Sequence, residues 1–131
     1  MKPKFIYFLP AIIWFLLIFT LLMLPGDDLP KEDFLSVIYF DKWVHAGLFG
    51  GLVFLVSYPL RNSIGYKSLF YLNIVMAAIG YGIAMEFAQK YLTADRDFDV
   101  NDMIADAVGA ILGYFFFRFV ALKVSQKNKP L

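Results

Sequence analysis

The chain has 131 residues, of which 60% are hydrophobic and 18% charged, and it contains no cysteine. Soluble domains usually hold about 45–50% apolar and about 25% charged residues, so this composition excludes an ordinary soluble domain and predicts a small integral membrane protein. The lack of cysteine excludes disulfide frameworks, thiolate nucleophiles, iron–sulfur clusters and zinc sites built on cysteine.

The first predicted element is a membrane-spanning helix over residues 5–24, a run of uncharged residues long enough to cross about 30 Å of hydrocarbon. A cleaved signal peptide is the alternative, because Lys2 and Lys4 give the chain a basic start. The apolar run is long for a signal peptide and ends in Leu24-Pro25-Gly26-Asp27 without a small-x-small cleavage site, which favours a retained helix.

Three more apolar runs predict helices over about residues 43–60, 69–88 and 103–122. The sequence therefore predicts an all-α integral membrane protein, one domain over residues 1–131, with four transmembrane helices in a compact bundle. Because the connections are short, we expect consecutive helices to be antiparallel and in contact.

Basic residues predict the orientation of the bundle, with both termini in the cytoplasm. Alternating the loops between the two sides places eight basic residues inside and four outside. The inner set is Lys2, Lys4, Arg61, Lys67, Arg118, Lys123, Lys127 and Lys129, and the outer set is Lys31, Lys42, Lys90 and Arg96. All 11 acidic residues then fall on the outer side, some of them as ordinary solvated loop charge.

Polar pairs lie at the outer ends of three predicted helices, and the spacing of three or four residues puts each pair on one helix face. The pairs are Asp41 and His45, Glu86 and Gln89, and Asp102 and Asp106. Ionisable groups inside a membrane span are costly and normally face the bundle interior or a wet cavity. We therefore expect the three pairs to converge on an outer-facing pocket rich in acids and histidine.

Small residues recur every fourth position just below these pairs. Gly47-x-x-x-Gly51 lies on the second predicted helix and Ala105-x-x-x-Gly109-x-x-x-Gly113 on the fourth. Such ridges let helix backbones approach closely in a membrane. Gly47, Gly51, Gly109 and Gly113 are thus predicted to pack helices together under the pocket.

These residues together resemble the VanZ-like family of small bacterial membrane proteins. The resemblance rests on Phe40-Asp41-Lys42-x-x-His45 with Phe49, on Glu86-x-x-Gln89, and on Arg96-x-x-Asp99-x-x-Asp102-x-x-Ala105-Asp106-x-x-Gly109-x-x-x-Gly113. It implies a multi-pass protein of the bacterial plasma (inner) membrane, in a family named for a member associated with resistance to the glycopeptide teicoplanin. It adds Arg96 and Asp99 to the candidate pocket. The family commonly has asparagine where this chain has Asp106.

The first functional hypothesis is a cell-envelope binding protein that recognises a lipophilic or lipid-linked ligand and alters access of an antibiotic to its target. Arg96 could pair with a phosphate or carboxylate of that ligand, since its planar fork suits bidentate contacts. A structural ion pair of Arg96 with Asp95, Asp97 or Asp99 is the alternative. The expected partners are the lipid bilayer, a lipid-linked envelope precursor or lipoglycopeptide, and further copies of the chain, but no nucleic acid.

The second hypothesis is a metal-assisted hydrolase or transferase acting on a lipid-linked substrate. His45 offers an imidazole, and Asp41, Glu86, Asp102 and Asp106 offer carboxylates; together they could bind a divalent cation, the one cofactor the sequence suggests. The metal ligands suggested are Asp41, His45, Glu86 and Asp106. No His-Glu-x-x-His, Gly-x-Ser-x-Gly or nucleotide-binding motif occurs, so catalytic residues stay unassigned. A histidine–carboxylate network that only holds helices together would give the same pattern.

The third hypothesis is a small proton-coupled transporter, because acids and histidine inside membrane spans serve as proton relays. The polar residues are confined to the outer ends of the spans, and the inner halves hold little beyond Ser57 and Asn73. The sequence therefore does not predict a continuous polar path across the membrane.

Overall fold

The computed structural model describes residues 3–25, 39–64, 68–94 and 96–127. Four long helices occupy these ranges, and the described residues contain no β-strand. Helix α1 is Leu9–Leu22, α2 is Phe40–Ser57, α3 is Ser68–Leu92 and α4 is Val100–Lys127. Single 3₁₀ turns at Phe5–Phe8 and Tyr58–Leu60 and a helical turn at Arg61–Ile64 flank them.

All four helical segments are long and apolar enough to cross a membrane, which confirms the prediction of an all-α protein with four membrane-spanning helices. Between 17% and 33% of the residues in the most apolar stretch of each segment are buried inside the bundle. The remaining side chains are mostly aromatic or aliphatic and face outward, as expected for a surface in contact with lipid.

The helices extend beyond the apolar runs from which they were predicted. Helix α2 begins at Phe40 instead of residue 43, α3 continues to Leu92 instead of residue 88, and α4 spans Val100–Lys127 instead of residues 103–122. An apolar run marks only the part of a helix inside hydrocarbon, and polar end turns continue the helix outside it. Helix α1 ends earlier than predicted, at Leu22 instead of residue 24.

The most extensive contact in the bundle joins α2 to α4, two helices that run parallel and are not consecutive. Backbone lies directly on backbone here. A side chain at Gly109 would collide with the Ala46 carbonyl, and one at Gly113 would collide with the Gly50 carbonyl. Glycine is required at both positions, because a β-carbon would force the two helices apart.

The second helix differs from the prediction in its packing glycines. Gly47 was expected to pack, but an added β-carbon there would have nothing within 4 Å. Gly50 contacts α4 instead, and Gly51 packs against the indole of Trp14 on α1. The reason is rotation of the helix: neighbouring glycines point in directions about 100° apart, and the spacing alone does not say which one faces α4.

Helices α1 and α3 complete the bundle through aromatic side chains. Trp14 donates its indole N–H to the Leu48 carbonyl of α2 at 2.8 Å. Tyr81 on α3 stacks on Phe15 with ring centroids 4.3 Å apart and donates its hydroxyl to the Phe15 carbonyl. Consecutive helices are in contact, as expected, but each shares a smaller surface than the parallel α2–α4 pair.

Candidate functional site

Six charged or titratable side chains meet at one end of the bundle, where α1 and α3 end and α2 and α4 begin. We call this group the polar cluster; it consists of Lys42, His45, Glu86, Asp99, Asp102 and Asp106. Lys42 and His45 share one face of α2, and Asp99, Asp102 and Asp106 continue along the facing side of α4. The polar cluster therefore lies at the N-terminal end of the α2–α4 contact, and the glycine contacts follow it along the two helices.

Lys42 binds three carboxylates at once. Its ammonium lies 2.6 Å from Asp99 Oδ2, 2.6 Å from Asp102 Oδ1 and 2.9 Å from Asp41 Oδ2. The Lys42 and Asp102 side chains are only 21% and 13% exposed, whereas that of Asp41 is 60% exposed. Charge-assisted bonds to Asp102 and Asp99 thus connect α2 to the start of α4.

His45 lies below Lys42 and is buried between two acids of α4. Its Nδ1 donates to Asp106 Oδ1 at 2.9 Å, and both residues are less than 5% exposed. Its Nε2 lies 3.8 Å from Asp102 Oδ2. Asp106 therefore fixes the orientation of the imidazole and leaves the other nitrogen facing Asp102.

Glu86 brings α3 into the cluster. It is 1% exposed, and its Oε2 accepts the backbone N–H of Asp99 at 3.0 Å. Within the described part of the chain, its Oε1 has no hydrogen-bond partner, and neither has Asp106 Oδ2. Almost all buried polar atoms in proteins have a partner. Ser57 Oγ and Arg61 Nε also lack a hydrogen bond among the described residues, but only the cluster has two such carboxylate oxygens.

Asp99 is the N-cap of α4. Its Oδ1 accepts the backbone N–H of Asn101 at 2.8 Å, the usual role of aspartate at this position. The hydrogen bond from Lys42, together with that from Asn101, holds the pKa of Asp99 below its ordinary value. Asp99 thus carries a negative charge that belongs both to the helix start and to the cluster.

Three residues of the cluster could hold a metal ion. His45, Glu86 and Asp102 each offer one ligand atom, and these atoms lie within 4.8 Å of one another. The sequence suggested Asp41, His45, Glu86 and Asp106 for this purpose. In the structure Asp41 is exposed beside Lys42, and Asp106 is bound to the far nitrogen of His45, so Asp102 takes their place.

The remaining sequence candidates lie around the cluster. Gln89 is buried and donates its amide to the Leu22 carbonyl at 2.8 Å, which fixes the end of α1 to α3. Arg96 is partly buried, and none of the cluster contacts described above involves it. Several acids assigned to the outer loops lie outside the described residues, namely Asp27, Asp28, Glu32, Asp33 and Asp95.

Lys42 is the member that was left out of the predicted pocket: it was counted as an outer basic residue and quoted in the family motif, but no contact was assigned to it. A signal was present: Lys42 precedes His45 by three residues, and Asp99 precedes Asp102 by the same interval. The interval of three places Lys42 on the same face of α2 as His45, where acids of a facing helix can reach both side chains.

An apolar groove with a volume of about 490 Å³ lies beside the α2–α4 contact. Bare glycine backbone forms its floor, because the close approach leaves no side chains there. Its walls include Trp14, Phe54, Leu112 and Phe116, and its polar lining is negligible. Gly109, at its floor, follows Asp106 by three residues, so the groove begins about one helical turn from the polar cluster.

Comparison with curated proteins finds no match, and comparison with solved structures finds none. A family model does match, over residues 5–121, which include all four helical cores and every residue of the polar cluster. The bundle and its polar end therefore belong to a family already defined by sequence. The chain is a member of the VanZ/LLP1 family.

Proposed function

We propose that this chain is a cell-envelope protein that binds a lipophilic or lipid-linked ligand at the polar cluster, and that binding alters the access of glycopeptides such as teicoplanin to their target. Membership of the VanZ/LLP1 family supports a role of this class. The observation that carries the proposal is the buried Glu86 carboxylate, which has one oxygen without a partner among the described residues.

An unpaired carboxylate oxygen inside a protein costs free energy that a purely structural network would avoid. A site that awaits a ligand tolerates this cost, because the ligand supplies the missing partner. Lys42 and Asp102 remain partly exposed, so the cluster is accessible from the surface at the end of the bundle. A polar ligand head can therefore reach the cluster without unfolding a helix.

The apolar groove supports the lipophilic part of the proposal. It begins about one helical turn from the cluster, and its walls are almost entirely apolar. We assign the hydrocarbon chain of the ligand to this groove and its polar head to the cluster. Both parts would then be held by the same two helices, α2 and α4.

The cluster is tested by comparing His45→Ala, Glu86→Gln and the double variant. The full-length protein is purified in detergent, and co-purifying phospholipids and isoprenoid phosphates are identified by mass spectrometry. Each single variant should lose the enriched lipid, and the double variant should be no worse, because groups acting as one unit are not additive. Additive partial losses at normal membrane abundance would contradict a shared site.

Resistance is tested in the same variants by expression in a teicoplanin-susceptible bacterium. The parent chain should raise the inhibitory concentration of teicoplanin, and Glu86→Gln at equal abundance should abolish the increase. If His45→Ala and Glu86→Gln both still raise the inhibitory concentration of teicoplanin, resistance does not depend on the polar cluster.

The groove is tested with a matched pair of glycine variants. Gly47→Phe fills the groove, and Gly80→Phe places the same side chain on the exposed surface of α3; neither β-carbon meets any atom within 4 Å. Gly47→Phe should lose the lipid and Gly80→Phe should keep it. Equal lipid content in the two variants would exclude the groove.

A further inference from the structure

We propose that His45, Glu86 and Asp102 form a binding site for one divalent transition-metal ion, Zn²⁺ or Mn²⁺, and that Asp106 positions His45 for it. The ion would act as the cationic centre of the polar cluster. The role of the ion in ligand binding rests on the proposed function, whereas the site itself is argued from the geometry of the cluster.

The distances suit a metal ion. Ligand atoms about 2.1 Å from a tetrahedral zinc ion lie about 3.4 Å from one another. His45 Nε2 and Asp102 Oδ2 are 3.8 Å apart, and one atom from each of the three residues falls within 4.8 Å of the others. If side-chain rotation moves each ligand atom inward by roughly 1 Å, the three atoms reach the distances required to bind one ion.

The arrangement behind His45 is that of a metal-binding histidine. Histidine ligands usually donate their second ring N–H to a carboxylate, which fixes the tautomer and makes the other nitrogen a better ligand. Asp106 accepts from Nδ1 at 2.9 Å, deep in the bundle, and Nε2 faces Asp102. This contact is independent of the positions of Glu86 and Asp102.

A second observation indicates a missing cation. Glu86 is 1% exposed, and its Oε1 lacks a partner among the described residues although its Oε2 is bound to Asp99. Lys42 does not supply the charge, because its ammonium is already shared among Asp41, Asp99 and Asp102. A divalent ion beside Glu86 would pair the free oxygen and balance the excess of acids.

The ligand set selects the kind of ion. One imidazole with two carboxylates suits Zn²⁺ or Mn²⁺, whereas Ca²⁺ takes six to eight oxygen ligands and Mg²⁺ holds mainly oxygen and water. His45 must be neutral to bind the ion, so affinity should fall at acidic pH.

The test uses the full-length protein in detergent, stripped with a chelator and free of added lipid or antibiotic. Bound Zn²⁺ and Mn²⁺ are counted by elemental analysis, and affinity is measured by competition with a chromophoric chelator. We expect one ion per chain and a saturable, ion-dependent rise in unfolding temperature of the parent protein. Glu86→Gln and Asp102→Asn should each weaken binding at least tenfold.

Asp106→Asn should weaken binding by about 10- to 100-fold without removing a ligand, as expected for a residue that orients one. Asp41→Asn is the matched control, since Asp41 is exposed and contacts Lys42 only through a surface ion pair. It should bind as the parent does. An absence of binding and of thermal shift in the parent would overturn the site, as would full affinity in both Glu86→Gln and Asp102→Asn.

Ion binding and the thermal shift of the parent protein are measured without any variant. They therefore decide the test even if a variant misfolds. Failure of ion binding with lipid enrichment intact would overturn this site and leave the proposed function standing. Ion binding without lipid enrichment would support the metal site and overturn the proposed lipid-binding function.

Discussion

Lys42 connects α2 to α4 within the polar cluster, as His45 does through Asp106. Lys42 lies on α2 and binds Asp41 of the same helix as well as Asp99 and Asp102 at the start of α4, so its one positive charge is shared between carboxylates of both helices. Asp102 is also the carboxylate that faces His45. Lys42 therefore determines how much negative charge remains available to His45 and to a ligand.

Replacing Lys42 should show its contribution to stability. Lys42→Met keeps the length of the side chain but leaves Asp102 without its partner, and the loss should be about 2–3 kcal/mol, somewhat less than for a fully buried pair. Thermal or denaturant unfolding in detergent measures it. Asp41→Asn removes only an exposed partner and should cost below about 1 kcal/mol. Similar losses in the two variants would mean that Lys42 has no special role.

The lowered pKa of Asp99 predicts a loss of stability in acid. Its hydrogen bond from Lys42 keeps Asp99 ionised in the folded state, whereas an unfolded aspartate has a pKa of about 3.9. A pKa lowered by folding gives stability that is complete above the unfolded value and is lost as pH falls through the folded value. The contribution of Asp99 should therefore decline as the pH falls below about 4 and be lost once the pH is below the lowered pKa of Asp99 in the folded state.

Asp99→Asn isolates this effect, because asparagine caps a helix as well as aspartate but carries no charge. Unfolding temperature measured from about pH 6 down to about pH 2 should fall less steeply for Asp99→Asn than for the parent. Parallel curves would show that other carboxylates account for the acid sensitivity.

At the level of helices, the α2–α4 contact combines two different kinds of interaction. Polar side chains pair across its first two turns, and glycine backbones touch across the next two. The polar pairs need the helices to be near one another, and the glycines permit that distance. The distance between the paired polar side chains thus depends on glycines that make no polar contact in the cluster.

Gly109→Ala should destabilise the bundle, because its β-carbon would collide with the Ala46 carbonyl. Overpacking of this kind typically costs about 1–3 kcal/mol. Gly47→Ala makes the same chemical change in open space and should be neutral or stabilising by up to about 1 kcal/mol, since alanine favours helix. Unfolding in detergent compares the two variants. Equal stabilities would mean that α2 and α4 are not held this closely in solution.

The same reasoning applies to Gly109→Leu and Gly113→Leu, which should destabilise the bundle more than Leu112→Ala does. Leu112 is well exposed at the groove, so its truncation leaves the glycine contact in place.

For the whole molecule, the number of membrane-spanning helices was predictable, because apolar runs of sufficient length report directly on burial in lipid. The convergence of His45, Glu86 and Asp106 on one end of the bundle followed from the cost of charge in a membrane span. The pairing of α2 with α4 was not predictable from spacing, because it depends on the rotation of each helix about its axis. That rotation also decides that Gly50 rather than Gly47 faces α4 and that Asp41 points outward.

Membrane orientation remains a prediction from the basic residues, with both termini in the cytoplasm and the polar cluster outside. Because the chain has no cysteine, a single introduced thiol reports without background. Asp97→Cys should react with an impermeant maleimide added to intact cells, and Ser63→Cys should react only after lysis. The reverse pattern would place the polar cluster on the cytoplasmic side.

The parallel α2–α4 contact also determines when the cluster can form during synthesis. Lys42 lies 60 residues ahead of Asp102, and His45 lies 61 residues ahead of Asp106. At about 5–20 residues per second, a ribosome needs roughly 3–12 s to make that stretch of chain. During this interval α2 has entered the membrane with its lysine and histidine unmatched by the acids of α4. A chain truncated after α3 would lack Asp102 and Asp106 throughout, so His45 would have neither of its acids and Lys42 would keep only Asp41.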